Sequence, residues 1–360
     1  RRLALLVAIA LGGGGFLSSA QNVSAADVTG NNVEIDSTHE PSNNAKDDNN
    51  TPFGTAAGFI HEGSNSGNVT NNTLTFKDHL YGREVFGGFT FGKGNVTGNK
   101  VFINPATSTP PGSIVNAAYG GVTDGGGNAE NNEVTFHGTR ANGDIIGGMT
   151  TRKSYVKDGR GNGAAKQNTA TLEGGTVDGT VYGGYTGEGS DGDVVGNTAL
   201  VKGGVAMSDV YGGHAAQGGA AKDNVAQITN GTVNGTIYGG YAAEKDATGN
   251  RVTVSGGSVG SSVYGGKAGV GNATNNTVTI AGNGTVGQHV YGGGSTGGDA
   301  INNTVNLGDG TSNAVGTITG TIYGGKTSPA KDQTTGNTLN VKANAQAGNI
   351  ENFSTINFDF

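Results

Sequence analysis

Asn250-Arg251-Val252-Thr253-Val254-Ser255-Gly256-Gly257-Ser258-Val259-Gly260-Ser261-Ser262-Val263-Tyr264-Gly265-Gly266 is the stretch whose reading decides the fold. An Asn opens a five-residue run in which Val252 and Val254 alternate with Arg251 and Thr253, the period of a strand with one face buried. A glycine turn leads to a second, shorter strand at Ser258-Val259, and a third ends in Tyr-Gly-Gly. The interval from Asn250 to Gly265 is fifteen residues, and it recurs from Asn72 to Gly87, Asn132 to Gly147, Asn168 to Gly183, Asn197 to Gly212 and Asn224 to Gly239. It slips by one from Asn276 to Gly292, and stretches to twenty-one from Asn99 to Gly120 and from Asn303 to Gly324. A frame that absorbs insertions between fixed anchors belongs to a solenoid, whose coils keep their cross-section and expel extra residues as loops.

Three strands and three corners in roughly 27 residues predict an all-β chain, a right-handed parallel β-helix (β-solenoid) of about ten coils. The first strand of each coil is Asn72-Thr73-Leu74-Thr75-Phe76, Asn168-Thr169-Ala170-Thr171-Leu172, Asn276-Thr277-Val278-Thr279-Ile280 and their kin, with the third and fifth residues inside. Asn224-Val225-Ala226-Gln227-Ile228 reads as one position out of frame, which would require a local bulge. Gly and Asn at the corners suit positive φ. Stacked Asn amides would bond along the axis, and the Tyr positions would form a ladder of rings at about 4.8 Å spacing.

Composition agrees with a narrow core. Of 360 residues 71 are Gly and 6 Pro, only 33% are hydrophobic and none is Trp. A net charge of -7 offers nucleic acid and anionic lipid no attraction. With no cysteine there is neither a disulfide framework nor a thiolate metal site. Residues 1–26 read as a signal peptide with an incomplete start: Arg1-Arg2, the apolar run Leu3 to Leu11, and small residues near Ala25 and Ala26. The run is too short to span a bilayer. Residues 27–52 hold a first strand at Asn31-Asn32-Val33-Glu34-Ile35 and a polar tract, read as a linker or ejected loop. Residues 53–347 hold the repeats. Residues 348–360, from Gly348 to Phe360, read as a terminal coil cut off in mid-strand, with more sequence expected beyond.

The Gly/Asn-rich coils, the Val-Tyr-Gly-Gly and Asn-Thr-Val-Thr-Ile units, the export signal, the absence of cysteine and a terminal Asn352-Phe353-x-x-Ile356-x-Phe358 rung resemble the passenger region of a bacterial autotransporter adhesin. The resemblance covers about residues 27 to 360. It implies a non-catalytic binding rod at the surface of a Gram-negative bacterium, secreted and anchored through a C-terminal outer-membrane β-barrel. Adhesion or aggregation would be its role, with host-cell or matrix molecules or the rod's own copies as partners. No barrel strands of about ten residues follow the repeats in this chain, so the resemblance makes it a fragment or differently anchored.

Other chemistry finds little support. Gly187-Glu188-Gly189-Ser190-Asp191-Gly192 matches a dinucleotide pattern in letters but opens no helix. Gly256-Gly257-Ser258-Val259-Gly260 matches a nucleophile elbow, yet Thr176 and Thr232 stand in the place of Ser258. His39, His61, His79, His137, His214 and His289 occur singly, with His214 in the slot of Tyr185 and Tyr241. Glu188, Asp191 and Asp193 are the densest acids, the place for Ca²⁺ if any is bound. The expectation is no catalytic, cofactor or metal site. The competing readings are a β-helical polysaccharide-degrading enzyme, a passive surface spacer, and an ice-binding array built on Thr73 with Thr75, Thr169 with Thr171 and Thr277 with Thr279. Binding loops are expected at Pro105 to Ser113, Thr151 to Asn162 and Asp309 to Thr319.

Overall fold

The structure is a computed structural model and describes residues 27–35, 45–46, 52–60, 67–77, 81–103, 113–151, 161–310, 315–328 and 330–359. The expected signal peptide, most of the polar tract, His39, His61, His79 and much of each expected loop lie outside the described residues. Within them all regular structure is strand, and the strands form three long sheets stacked parallel from coil to coil. The single antiparallel pair among the described residues joins Ala45–Lys46 to Pro52–Ile60. No set of strands closes on itself, because each pairs with the coil below and the coil above. The chain is a parallel β-helix.

The asparagine-led sheet has 12 strands, from Asn32–Ile35 through Arg251–Val254 to Thr355–Phe358. The second sheet has 10 strands of only two residues each, such as Val69–Thr70, Ala247–Thr248 and Ala300–Ile301. The third, the tyrosine sheet, unites what the sequence presents as separate strands. Ile114–Thr123 pairs with Arg140–Ala141 and with Ile145–Thr150, and from there the coils carry a short and a long strand side by side. The expected second and third strands therefore share one sheet, and the two-residue strands supply the remaining side of the coil. Thr55-Ala56-Ala57-Gly58 is a further tyrosine-sheet rung, in register with Val85, Phe86 and Gly88.

Register is kept throughout the repeats. Val225–Ile228 pairs residue for residue with Thr198–Val201 and Arg251–Val254. The expected bulge is absent: Ala226 and Ile228 are buried, so the aliphatic third and fifth positions of that run were in frame all along. The slip after Asn276 falls in one corner. Ser258 pairs with Thr285, so the extra residue lies between Ile280 and Thr285, where the Gly284 amide bonds to the Ala281 carbonyl at 3.1 Å. Around the longer inserts the anchors hold: Lys100–Ile103 and Ile114–Thr123 both stay paired with their neighbours.

The core is a column of Val, Ile, Leu and Phe. Leu74, Phe76, Phe136, Leu172, Ile228 and Ile280 enter from the asparagine-led sheet, and Val181, Val210, Ile237, Val263 and Val290 from the tyrosine sheet, all fully buried. At about 1.5–3 kcal/mol for each such side chain, this column is the main source of stability.

One corner explains the frame. Asn72, Asn99, Asn132, Asn168, Asn197, Asn224, Asn250, Asn276, Asn303 and Asn337 are 0–1% exposed. Asn224 is typical. Its amide nitrogen and Nδ2 donate to Asn250 Oδ1 at 3.1 and 3.0 Å, and Nδ2 also donates to the Val194 carbonyl at 3.0 Å. Its Oδ1 accepts both the amide and Nδ2 of Asn197 at 3.0 Å. Every donor and acceptor of the side chain is used, as burial requires. Positive φ falls on the residue before the ladder Asn: Gly30, Asn71, Gly98, Asn131, Gln167, Gly196, Asp223, Gly249, Asn275, Asn302 and Gly336 have φ of 53 to 74°.

The glycine pair completes the corner. A Cβ on Gly184, Gly213 or Gly240 would strike the side chain of Asn197, Asn224 or Asn250. A Cβ on Gly183, Gly212 or Gly239 would strike the carbonyl of the matching glycine one coil on and the backbone of the asparagine-led sheet. Thus one glycine makes room for the amide ladder and the other lets two sheets approach closely.

Candidate binding surface

The tyrosine sheet carries two columns of outward side chains. In Val181–Thr186, Val181 and Thr186 are buried while Tyr182 and Tyr185 are only half-buried, and the pattern repeats in Val210–Ala215 and Val263–Ala268. Register places Tyr182, Tyr211, Tyr238, Tyr264, Tyr291 and Tyr323 in one column. Their rings stack in sequence at centroid separations of 5.2, 4.6, 5.2, 4.2 and 5.0 Å, with interplanar angles of 5 to 12°. Phe86 and Tyr119 form a shorter stack below, at 4.9 Å and 8°. Ile146 separates the two, since it pairs with Tyr119 on one side and Tyr182 on the other.

Three residues further along, the second column reads Phe59, Phe89, Val122, Met149, Tyr185, His214, Tyr241, Lys267, Gly294 and Lys326. Its character changes along the axis. At the first coils Phe59, Phe86 and Phe89 bury one another, with Phe91 edge-on against Phe59 and Phe89. In the middle, Tyr185 and Tyr241 lean against the main stack, Tyr241 edge-on to Tyr238 at 75°. In the last coils the aromatics give way to cations. Lys267 Nζ lies 5.1 Å from the Tyr264 centroid and 5.7 Å from that of Tyr238, and Lys326 Nζ lies 4.6 Å from that of Tyr323.

Packing sets the electrostatics. Burial raises the phenol pKa of Tyr182 and Tyr211, helped by the charges of Asp144 and Asp209, and burial pushes Tyr238 up to about 12. All stay protonated at neutral pH. Burial lowers His214 to about 4. Its ring lies 4.7 Å from that of Tyr211 and 4.8 Å from that of Tyr241, and its Nδ1 is buried with no hydrogen-bond partner. One corner position beside the stack caps the coil above: Asp144 Oδ1 accepts the Thr180 amide at 2.7 Å, Asp209 Oδ1 the Thr236 amide at 2.7 Å, and His289 Nδ1 the Thr321 amide at 2.9 Å.

The residues weighed from sequence are placed elsewhere. Glu188, Asp191 and Asp193 follow the Val181–Thr186 strand in a turn region. Burial alone would raise the Asp193 carboxyl, but the hydrogen bond and charge of Lys222 at 2.6 Å and the Ala220 amide hold it below its ordinary value. Ser190, inside the dinucleotide-like run, bonds to the Gly163 carbonyl at 3.0 Å, and a short strand at Val194–Val195 follows rather than a helix. Ser258 sits in register with Thr232 and Thr285, as its sister repeats imply. His137 Nδ1 is buried without a partner in the corner after Glu133–Phe136. Among the described residues no three His, Cys, Asp or Glu are grouped to hold a metal ion. The Thr array on the asparagine-led sheet is interrupted at Lys100, Glu133, Val225 and Arg251.

The sequence shows the first ring column, and of the second only the shared slot of Tyr185, His214 and Tyr241. The signal was present: the residue directly after each Gly-Gly is outward and aromatic or basic in most coils. The capping role of Asp144 and Asp209 was also legible only once Ile145 and Val210 were known to be registered.

Fold and surface together define a parallel β-helix with an axial aromatic stripe. No protein-family model, no curated protein and no solved structure matches the chain.

Proposed function

We propose that this chain is the passenger of an autotransporter-like protein, a secreted, non-catalytic rod that acts in adhesion or aggregation at the surface of a Gram-negative bacterium. The observation that carries the reading is the stripe. Outward positions of the other sheets carry mainly Thr, Lys, Glu and Asn, whereas the tyrosine sheet spends its outward positions on a column of rings in six successive coils, half-buried except for the buried Tyr238. Rigid, amphipathic Tyr side chains give contact area at low entropic cost, and they dominate recognition surfaces for that reason. The export signal and repeat units of the sequence support the same reading.

The test is display. Residues 27–360 are fused to an outer-membrane barrel on a non-adherent bacterium, and autoaggregation and attachment to cells and matrix are scored. A gain is expected, and a Tyr185→Ser, Tyr241→Ser variant, which leaves the main stack intact, is expected to lose most of it. No gain with surface display confirmed would point instead to a spacer or a glycan-degrading enzyme.

A further inference from the structure

We propose that the last coils of the stripe, centred on Gly294, seat an anionic glycan lying along the rod axis. This names the ligand class for the binding-rod reading and rests on it. Lys267 and Lys326 flank Gly294 in one outward column, so their strands lie two rungs, about 10 Å, apart at the usual strand spacing. Between them Gly294 adds no side chain of its own: a Cβ there would lie 3.0 Å from Tyr264 Cε1, so the edges of the stacked Tyr264 and Tyr291 rings face this position, with Lys267 Nζ reaching over Tyr264. The result is a notch with an aromatic floor and a cation on either side. Among the described residues neither ammonium has a carboxylate partner, whereas Lys166, Lys202 and Lys222 are paired with Glu130, Glu173 and Asp193. Because Nδ1 of His289 accepts the Thr321 amide, its Nε2 is left to donate, and its ring lies 5.9 Å from that of Tyr291.

Charge is segregated along the stripe. Asp144, Asp209 and Glu188 act on Tyr182, Tyr185, Tyr211 and Tyr238, while Tyr264 is shifted only by burial and by other tyrosines. Glu351 follows Tyr323 in the ring column and is the one acid placed there by register. A ligand with spaced anionic groups meets cations at the notch and carboxylates only beyond it. Stacked nucleobases fit less well. The rings of the column lie face to face, so their faces are already covered and only edges and hydroxyls point outward, while base binding needs open faces. Sugar hydroxyls and sulfate or carboxylate oxygens match edges, hydroxyls and ammonium groups.

The experiment uses the purified chain on immobilised heparin, a sulfated glycan, polygalacturonate, a carboxylated one, and neutral dextran. Retention on one or both anionic matrices, released by salt and absent on dextran, is expected. Lys267→Gln with Lys326→Gln should weaken it at least ten-fold, and Lys331→Gln with Lys342→Gln, which removes the same charge elsewhere, less than two-fold. Glu351→Gln should tighten it. Retention on heparin alone assigns sulfate, and on polygalacturonate alone assigns carboxylate. Equal behaviour of the two double variants, or retention on dextran, overturns the proposal. Absence of retention while the displayed rod still adheres overturns it too, and leaves the binding-rod reading standing.

Discussion

Asn224 shows how much of this fold rests on single polar side chains. Its amide group makes four buried hydrogen bonds, spanning three coils. Asn224→Ala removes them: the Asn197 amide and Nδ2 lose their acceptor and the Val194 carbonyl loses a donor, while Asn250 Oδ1 keeps only the backbone amide of residue 224, and each buried group left unpaired costs about 1–3 kcal/mol. A loss of at least about 3 kcal/mol in urea unfolding is expected. Asp223, one residue earlier, obeys the opposite rule. Its φ of 55° suits glycine, so Asp223→Gly should be tolerated and Asp223→Val should destabilise. The sequence displayed Asn and Gly at corners but not which of the two adjacent residues bends and which bonds, since Asn serves both purposes. His214 supplies a pH prediction. Its folded pKa of about 4 lies below the ordinary value, so the unfolded chain takes up a proton first as pH falls. Stability from this site is complete above about pH 6.5 and is lost as pH drops toward 4. His214→Tyr, matching Tyr185 and Tyr241, should flatten the acid limb of a plot of Tm against pH, and an unchanged limb would exclude His214 as its source.

At the scale of the element, the tyrosine column behaves as a strand of rings added to a strand of backbone. Each offset-stacked pair contributes about 0.5–1.5 kcal/mol beyond its buried area. Tyr238→Ala breaks contacts at 4.6 and 5.2 Å and should lower the urea midpoint. Ile146→Tyr makes the converse change. It would join the Phe86–Tyr119 stack to the column that begins at Tyr182, and a gain of about 1 kcal/mol is expected from the two new pairs. Strands of four to six residues with alternating burial, such as Thr277–Ile280, were plain in the sequence. The two-residue strands of the second sheet were not, because a pair such as Ala247–Thr248 is too short to show a period and, unlike Ser258–Val259, has no glycine turn ahead of it to mark it. They become strands only through pairing with the coils on either side. The same limit hid the union of the short and long tyrosine-sheet strands, which is a fact of neighbouring coils rather than of one segment.

Over the whole molecule, each coil touches chiefly the one before and the one after. The structure therefore approximates a one-dimensional stack whose stability is a sum of coil and interface terms. That arrangement explains why the repeat frame could be read so far along the chain, and why inserts after Ile103 and Leu307 leave their neighbours in register. It also explains why a ligand could not be read: outward residues are free of the frame, and their columns form only on stacking. A defect in the middle should then divide the rod rather than melt it. Gly213→Val is the sharpest such defect, because a side chain there collides with Asn224, breaking the ladder and the sheet contact together. Hydrogen exchange followed through urea unfolding reads the two sides separately, with peptides covering 69–136 on one side and 247–307 on the other. In the native chain both segments are expected to lose protection over the same urea range. In the Gly213→Val variant the interface term between the coils on either side is lost, so each segment opens at its own midpoint. The shorter stack of core Val and Phe residues around Leu74 to Phe136 and the tyrosine-backed coils around Val252 to Leu307 then report their own stabilities. A single shared midpoint in the variant would mean that coupling reaches beyond adjacent coils, and would contradict the nearest-neighbour account.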